Sequence, residues 1–331
     1  MQRQRTLTQS RFPVRGASIA ALVSALVVAI AAGCASLEER ERQWIFQPSD
    51  RAWGGTASLA DGMQDVWIDF DSKVSGKPAR LHGLWLPADG DAGASPAALS
   101  AQPSSATLHA SPSAAPLLLY LHGSRWNVSG SSPRVRRMQE LGFSVLAIDY
   151  RGFGKSTPVL PSERMAYEDA RVAWDWLAKT WPDRPRYIFG HSLGGAVAID
   201  LASKVSDESG TIVEGTFTSI RDVASSFKWG WLPIGPFITQ RFESVDKVGH
   251  LGAPLLVVHG EEDGLIKPEL GKRLFEAASQ PKAFVLVPHG SHYTTNSLGQ
   301  PQYRAAIADL FGIGTAPAAH ARSSSGGVAS E

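Results

Sequence analysis

The stretch "RYIFGHSLGGAVAIDLASK", residues 186–204, decides how this chain is read. Its opening residues are a short apolar run of the kind that forms a strand buried on both faces, and the residues from Ser192 onward have the pattern of a helix. Between the two, "GHSLG" (190–194) fits G-x-S-x-G, in which glycines two residues either side of the serine admit a turn too tight for side chains. Such a turn lifts Ser192 above the end of a sheet and sets its hydroxyl at a helix N-terminus, where free N–H groups and the dipole favour developing negative charge. Ser192 is therefore the candidate nucleophile. The plainer alternative is a serine that only caps its helix.

A serine at its own pKa is a poor nucleophile, so a base and an orienting acid must follow. "LLVVHGEEDGLIKP" places Asp263 just after one apolar run and "FVLVPHGSHYTTN" places His292 just after the next, in the order Ser, Asp, His. His292 is expected to take the serine proton, and Asp263 to fix its tautomer and stabilise the imidazolium. Glu261 and Glu262 compete with Asp263. His289 competes with His292, but lies nearer its strand and is expected to pack beneath the loop. Acyl transfer also needs N–H donors for an oxyanion. Leu193, next to the nucleophile, is one candidate; Ser124, in "LLLYLHGS", is the other. His82, His122, His191 and His259 show no metal-ligand spacing and read as packing or hydrogen-bonding groups; neither a metal nor a cofactor is implied.

Around these loops, "LLLYLH" (117–122), "FSVLAIDY" (143–150), "RYIFG" (186–190), "TIVEGTF" (211–217), "PLLVVHG" (254–260) and "AFVLVPHG" (283–290) read as buried strands. They alternate with helix patterns at 163–180, 192–204 and 267–278, so the fold class is α/β, a mostly parallel sheet with helices on both faces. The loops carrying Ser124, Ser192, Asp263 and His292 then open at the carboxyl edge of the sheet, where open α/β folds build their sites. Residues 88–115 hold 19 Ala, Ser or Pro among 28, too few large apolar groups to offset the entropy of ordering, and read as a disordered loop at a hairpin tip between "RLHGLWLP" and "PLLLYLHG". The tail 313–331 reads the same way.

With these residues in place the chain resembles the α/β-hydrolases over nearly all of residues 39–312. "DYRGFGKS" (149–156) is similar to the D-Y-R-G-x-G-x-S loop of that superfamily and is expected to be a structural turn bordering the pocket. Residues 215–248 resemble the Bem46-like branch, which includes protein depalmitoylases and lysophospholipid hydrolases and carries a short crossing segment in place of a large cap. The resemblance implies a serine hydrolase that cleaves acyl esters or thioesters through an acyl-enzyme on Ser192, without a cofactor. "HGSRWN" (122–127) departs from the H-G-N-A-G-N of that branch, so Arg125 and Trp126 are candidates to shape the pocket mouth. Arg125 either meets an anionic substrate group or is simply solvated. In "FKWGWLPIGPF" (227–237), Trp229 and Trp231 either wall an acyl pocket or touch the lipid surface, or simply cover the sheet edge. A peptidase or acyltransferase with the same residues, and a binding protein without chemistry, are the alternative functions.

Arg3, Arg5, Arg11 and Arg15 precede the apolar run from Ala17 to Cys34, the layout of a secretory signal over residues 1–33. The run is also long enough for an uncleaved anchor helix. Cys34 is the only cysteine, and "AAGC" resembles a bacterial lipobox, whose cysteine carries lipid. The expected protein is thus a hydrolase domain over 34–312, lipid-anchored through Cys34 in the cell envelope and, with Ala35 following, sorted to the outer membrane facing the periplasm. Its expected partners are the membrane and a lipid-like acyl substrate. With a net charge of +1 and no basic patch beyond the signal, nucleic acid is not an expected partner.

Overall fold

The apolar runs form the middle of an eight-stranded sheet in a computed structural model of the chain, which describes residues 36–48, 60–91, 114–227, 235 and 238–314. Six strands run parallel: β3 (Leu117–Leu121), β4 (Ser144–Ile148), β5 (Arg186–His191), β6 (Gly210–Glu214), β7 (Leu255–Gly260) and β8 (Lys282–Val287). Two more, β1 (Gln64–Asp71) and β2 (Pro78–Leu86), join antiparallel at one edge, giving the order β1-β2-β4-β3-β5-β6-β7-β8.

Because successive side chains of a strand point to opposite faces, each central strand feeds two cores. Leu117, Leu119 and Leu121 of β3 enter one apolar layer, and Leu118 and Tyr120 the other. The first layer is closed by a helix over 36–46 (α1), by α3 (Glu163–Thr180), α4 (Leu193–Ala202), α5 (Ile220–Ser226) and α6 (Pro268–Ala277). The second is closed by α2 (Val128–Glu140) and α8 (Gln300–Phe311), the latter preceded by the single turn α7 (Thr295–Leu298). Helix α3 shows how sequence sets this arrangement: Ser162 caps it by accepting from the Met165 N–H, and Ala166, Ala170, Ala173, Trp174 and Leu177 form its buried stripe.

The architecture agrees with the α/β expectation, and several details differ from it. Strands β2 and β3 do not form a hairpin, because β4 lies between them and pairs with both. The segment joining them is therefore a crossover rather than a hairpin tip. Its residues 92–113 lie outside the described ones, and its near end is held by an ion pair of Asp91 with Arg184 at 2.5 Å. Strand β8 is an edge strand with Leu286 43% exposed, so it is not covered on both faces. The turn 149–156 is structural: Asp149 accepts from the Val128 N–H at 2.8 Å and fixes the start of α2, while Arg151 is buried against Asp169 and Glu168. None of its residues lines the cavity described next.

Candidate active site

Tight packing, not a capping bond, holds Ser192 where it is. A Cβ at position 190 would lie 2.2 Å from the Gly194 carbonyl oxygen, and one at 194 would lie 2.1 Å from that of Leu121, so only glycine lets α4 approach β5 and β3 this closely. Ser192 sits between them at φ 54°, ψ −121°, a conformation that costs about 1–3 kcal/mol for a residue with a side chain. Its backbone is pinned on both sides, the N–H donating to the Glu214 carbonyl at 2.9 Å and the carbonyl accepting from the Thr216 hydroxyl at 2.9 Å. The hydroxyl makes no capping bond to α4. A serine recruited only to cap would not hold this geometry.

The β7–α6 loop brings Asp263 to His292 of the β8–α7 loop, the His292 Nδ1–H donating to Asp263 Oδ2 at 2.8 Å. The other carboxylate oxygen accepts from the N–H groups of Leu265 at 3.0 Å and Ile266 at 2.8 Å, which fixes its direction. Burial works to raise the Asp263 carboxyl, but hydrogen bonds from His259, His292 and the backbone outweigh it and hold the group well below the usual carboxylate range. His259 reaches it while donating to the Ile266 carbonyl at 2.8 Å. Asp263 therefore stays charged and fixes His292 with Nδ1 protonated, leaving Nε2 as the basic nitrogen.

Below His292 lies a buried polar network that sequence reading missed. Arg134 of α2 pairs with Glu214 at the end of β6 at 2.9 Å and donates to the carbonyls of His292 and Tyr293. His191 Nε2–H donates to the same His292 carbonyl at 3.2 Å. Burial first, then the charges of Arg134 and His292, holds His191 well below the usual imidazole range, so it serves as a neutral donor. Asn296 and Tyr303 satisfy the second Glu214 oxygen. A lone Glu ending an apolar strand, "TIVEG", was the one signal of this network in the sequence.

Ser192 and His292 open into one cavity of about 180 Å³. Its described walls also include Ser124, Leu193, Trp44, Phe217, Ile220 and Ile266. Neither the Ser124 nor the Leu193 N–H donates to another described residue, which leaves both available to an oxyanion. Arg125 and Trp126 line the mouth, Arg125 exposed and at φ 78°, Trp126 half-buried with its ring 5.5 Å from that of Tyr293. The contribution of α1 through Trp44 and Ile45, and of Gln47 just after it, was not foreseen. His289 does not pack beneath its loop: it is 82% exposed and paired with Glu262 at 2.9 Å, because the chain turns outward at its φ of 56° before returning at His292. Trp229, Trp231 and Cys34 lie outside the described residues.

Comparison with known proteins agrees with this fold and with a hydrolase. Residues 112–242 match the family described as Hydrolase_4, serine aminopeptidase, S33. An uncharacterized protein of Mycobacterium tuberculosis is 29% identical over 273 residues, which cover 82% of this chain and 87% of that one. The lysophosphatidylserine lipase ABHD12 of Danio rerio is 35% identical over 187 residues, covering 51% of this chain and 48% of that one. Among solved structures, the Pyrococcus furiosus esterase Pf2001 superposes with a TM-score of 0.57 at 18% identity, covering 80% of this chain and 97% of that one, and shares the fold. The chain thus has the α/β-hydrolase fold and, at a strained strand-to-helix turn, a serine facing a histidine held by a charged aspartate across the carboxyl edge of the sheet, the arrangement of a serine hydrolase.

Proposed function

We propose that the protein hydrolyses acyl esters or thioesters of lipid-like substrates through an acyl-enzyme on Ser192. The observation that carries this reading is the strained, uncapped Ser192 sharing a cavity with a His292 whose Nδ1–H is held by Asp263. In the first half-reaction the Ser192 hydroxyl attacks the carbonyl carbon while His292 Nε2 takes its proton, and the oxyanion forms against the N–H groups of Ser124 and Leu193. Each such donor contributes about 2.7–4 kcal/mol to the transition state. His292 then returns the proton to the leaving alcohol or thiol, and a water activated by the same nitrogen releases the acid.

The cavity walls favour an acyl group. Trp44, Ile45, Phe217, Ile220, Val223 and Ile266 are apolar, and no Asp or Glu lines the cavity among the described residues. An aminopeptidase must receive a free ammonium group, for which such walls offer no counter-charge, so ester cleavage is preferred over the peptidase activity in the family's description. A dry apolar cavity of about 150 Å³ holds a benzene-sized group. The 180 Å³ here accordingly fits an ester and the first carbons of its chain. The lipase name of the ABHD12 relatives and the exposed Arg125 at the mouth extend the proposal to lipid esters with an anionic leaving group. Attachment of the chain to a membrane through Cys34 is part of the same proposal.

The test is steady-state hydrolysis of p-nitrophenyl esters and acyl-thioesters of graded chain length by wild type and Ser192→Ala. The expected outcome is turnover in wild type that disappears in the variant. Undiminished hydrolysis by Ser192→Ala would remove the proposal.

A further inference from the structure

Nine large apolar side chains stand exposed among the described residues, and four of them, Trp44, Phe227, Leu265 and Tyr293, line the mouth of this one cavity. They come from four separate segments: α1, the end of α5, the β7–α6 loop and the β8–α7 loop. Scattered single apolar residues are ordinary on a protein surface, whereas a ring of them around one opening marks an interaction surface. Trp44 is 56% exposed and Tyr293 50%, and both rings carry a polar tip, the chemistry of side chains that sit where hydrocarbon meets water.

The course of the chain says what covers this rim. Helix α1 begins at residue 36, two residues after Cys34 and the uncharged apolar run that precedes it. Leu37, 62% exposed, lies seven residues before Trp44 and so shares its face of the helix, extending the apolar rim toward that run. At 1.5 Å per residue, Leu37 and Trp44 are only ~10 Å apart along the axis. The helix is clamped to the body: Glu41 accepts from the N–H groups of Thr239 and Gln240, Arg42 donates to the Pro161 carbonyl, and the Phe46 carbonyl accepts from the Arg125 N–H. The helix that follows the apolar run is therefore held at a fixed orientation to the cavity mouth.

We propose that the rim of Trp44, Phe227, Leu265 and Tyr293 docks the cavity mouth directly onto a phospholipid surface. Its apolar side chains enter the headgroup layer, and Arg125 lies level with the phosphates. A lipid acyl ester then reaches Ser192 while most of its chain stays in the bilayer. That last step rests on the ester-hydrolase reading; the docking does not.

The full chain in vesicles of brominated phosphatidylcholine provides the test, because bromine quenches tryptophan fluorescence at short range and the apolar run 17–34 contains no tryptophan. Quenching is expected in wild type and in Ser192→Ala alike. Part of it should be lost in Trp44→Phe and none in Trp67→Phe, Trp67 being 44% exposed on the edge strand β1. A second variant, Phe227→Ser with Tyr293→Ser, keeps every tryptophan and should also lose quenching while its thermal melt matches wild type. Equal quenching in Trp44→Phe and Trp67→Phe, or full quenching in the rim double variant, overturns the proposal. A rim that instead binds a second copy would give those results together with a dimer in sedimentation. Failure of the hydrolase reading would show separately, as ester turnover that survives Ser192→Ala.

Discussion

At the scale of single residues, the division of labour among neighbouring titratable groups follows from burial. Asp263 is 4% exposed, and its hydrogen bonds hold its carboxyl below the ordinary range, so the folded state binds fewer protons there than the unfolded one. Its contribution to stability is fully present above the unfolded value of about 3.9 and is lost as pH falls through the folded value. Thermal melts should show wild type losing stability in acid more steeply than Asp263→Asn, which starts lower at neutral pH; parallel curves would contradict this. His289, exposed and paired only with Glu262, should tolerate Ala with unchanged turnover, whereas His292→Ala should lose it. That contrast was only half legible in "PHGSHY": the order of chemistry pointed to His292, but the outward turn at His289 depends on a backbone torsion that no local pattern encodes.

Among the elements, the readable ones were those whose burial is written along the chain. Strands β3 to β7 are continuous apolar runs, and the amphipathic stripe and Ser162 cap of α3 are local signals. Strand β1 went unread because "QDVWIDFD" buries only Val66 and Ile68 on one face of an edge strand. Helix α2, "VSGSSPRVRRMQE", has Gly130 and Pro133 inside it and no acidic first turn. It is held instead by tertiary contacts, and the Ser129 carbonyl that Pro133 leaves without its helical partner accepts from the Ser132 hydroxyl at 2.8 Å. Arg134 on this helix makes the buried pair with Glu214, so Glu214→Gln should destabilise the protein by about 3–5 kcal/mol by leaving a buried charge unpaired. Denaturant unfolding checks this, and Arg134→Met combined with Glu214→Gln should recover much of the loss. At the elbow, Gly194→Ala should prevent soluble expression, given the 2.1 Å approach of its Cβ to the Leu121 carbonyl.

Over the whole molecule, chain order and spatial order diverge at one place that sequence reading could not anticipate, the insertion of β4 between β2 and β3, because pairing between strands distant in sequence leaves no local trace. The convergence of loops at the carboxyl edge, in contrast, was legible: those after β3, β5, β7 and β8 meet at one cavity, as the alternation of strand and helix implies. Away from the site, burial pushes the Glu208 carboxyl up to about 7, so the folded state holds a proton that the unfolded state has released. Stability should fall as pH rises from about 4.5 to about 7, and Glu208→Gln should flatten that fall in melts across the interval. The central claim is that the strained turn carries an activated nucleophile. Labelling of the full chain with a fluorophosphonate probe tests it most directly, wild type beside Ser192→Ala. The account predicts a single modified serine in wild type and none in the variant; a folded wild type that stays unlabelled, or a variant labelled equally, would contradict it.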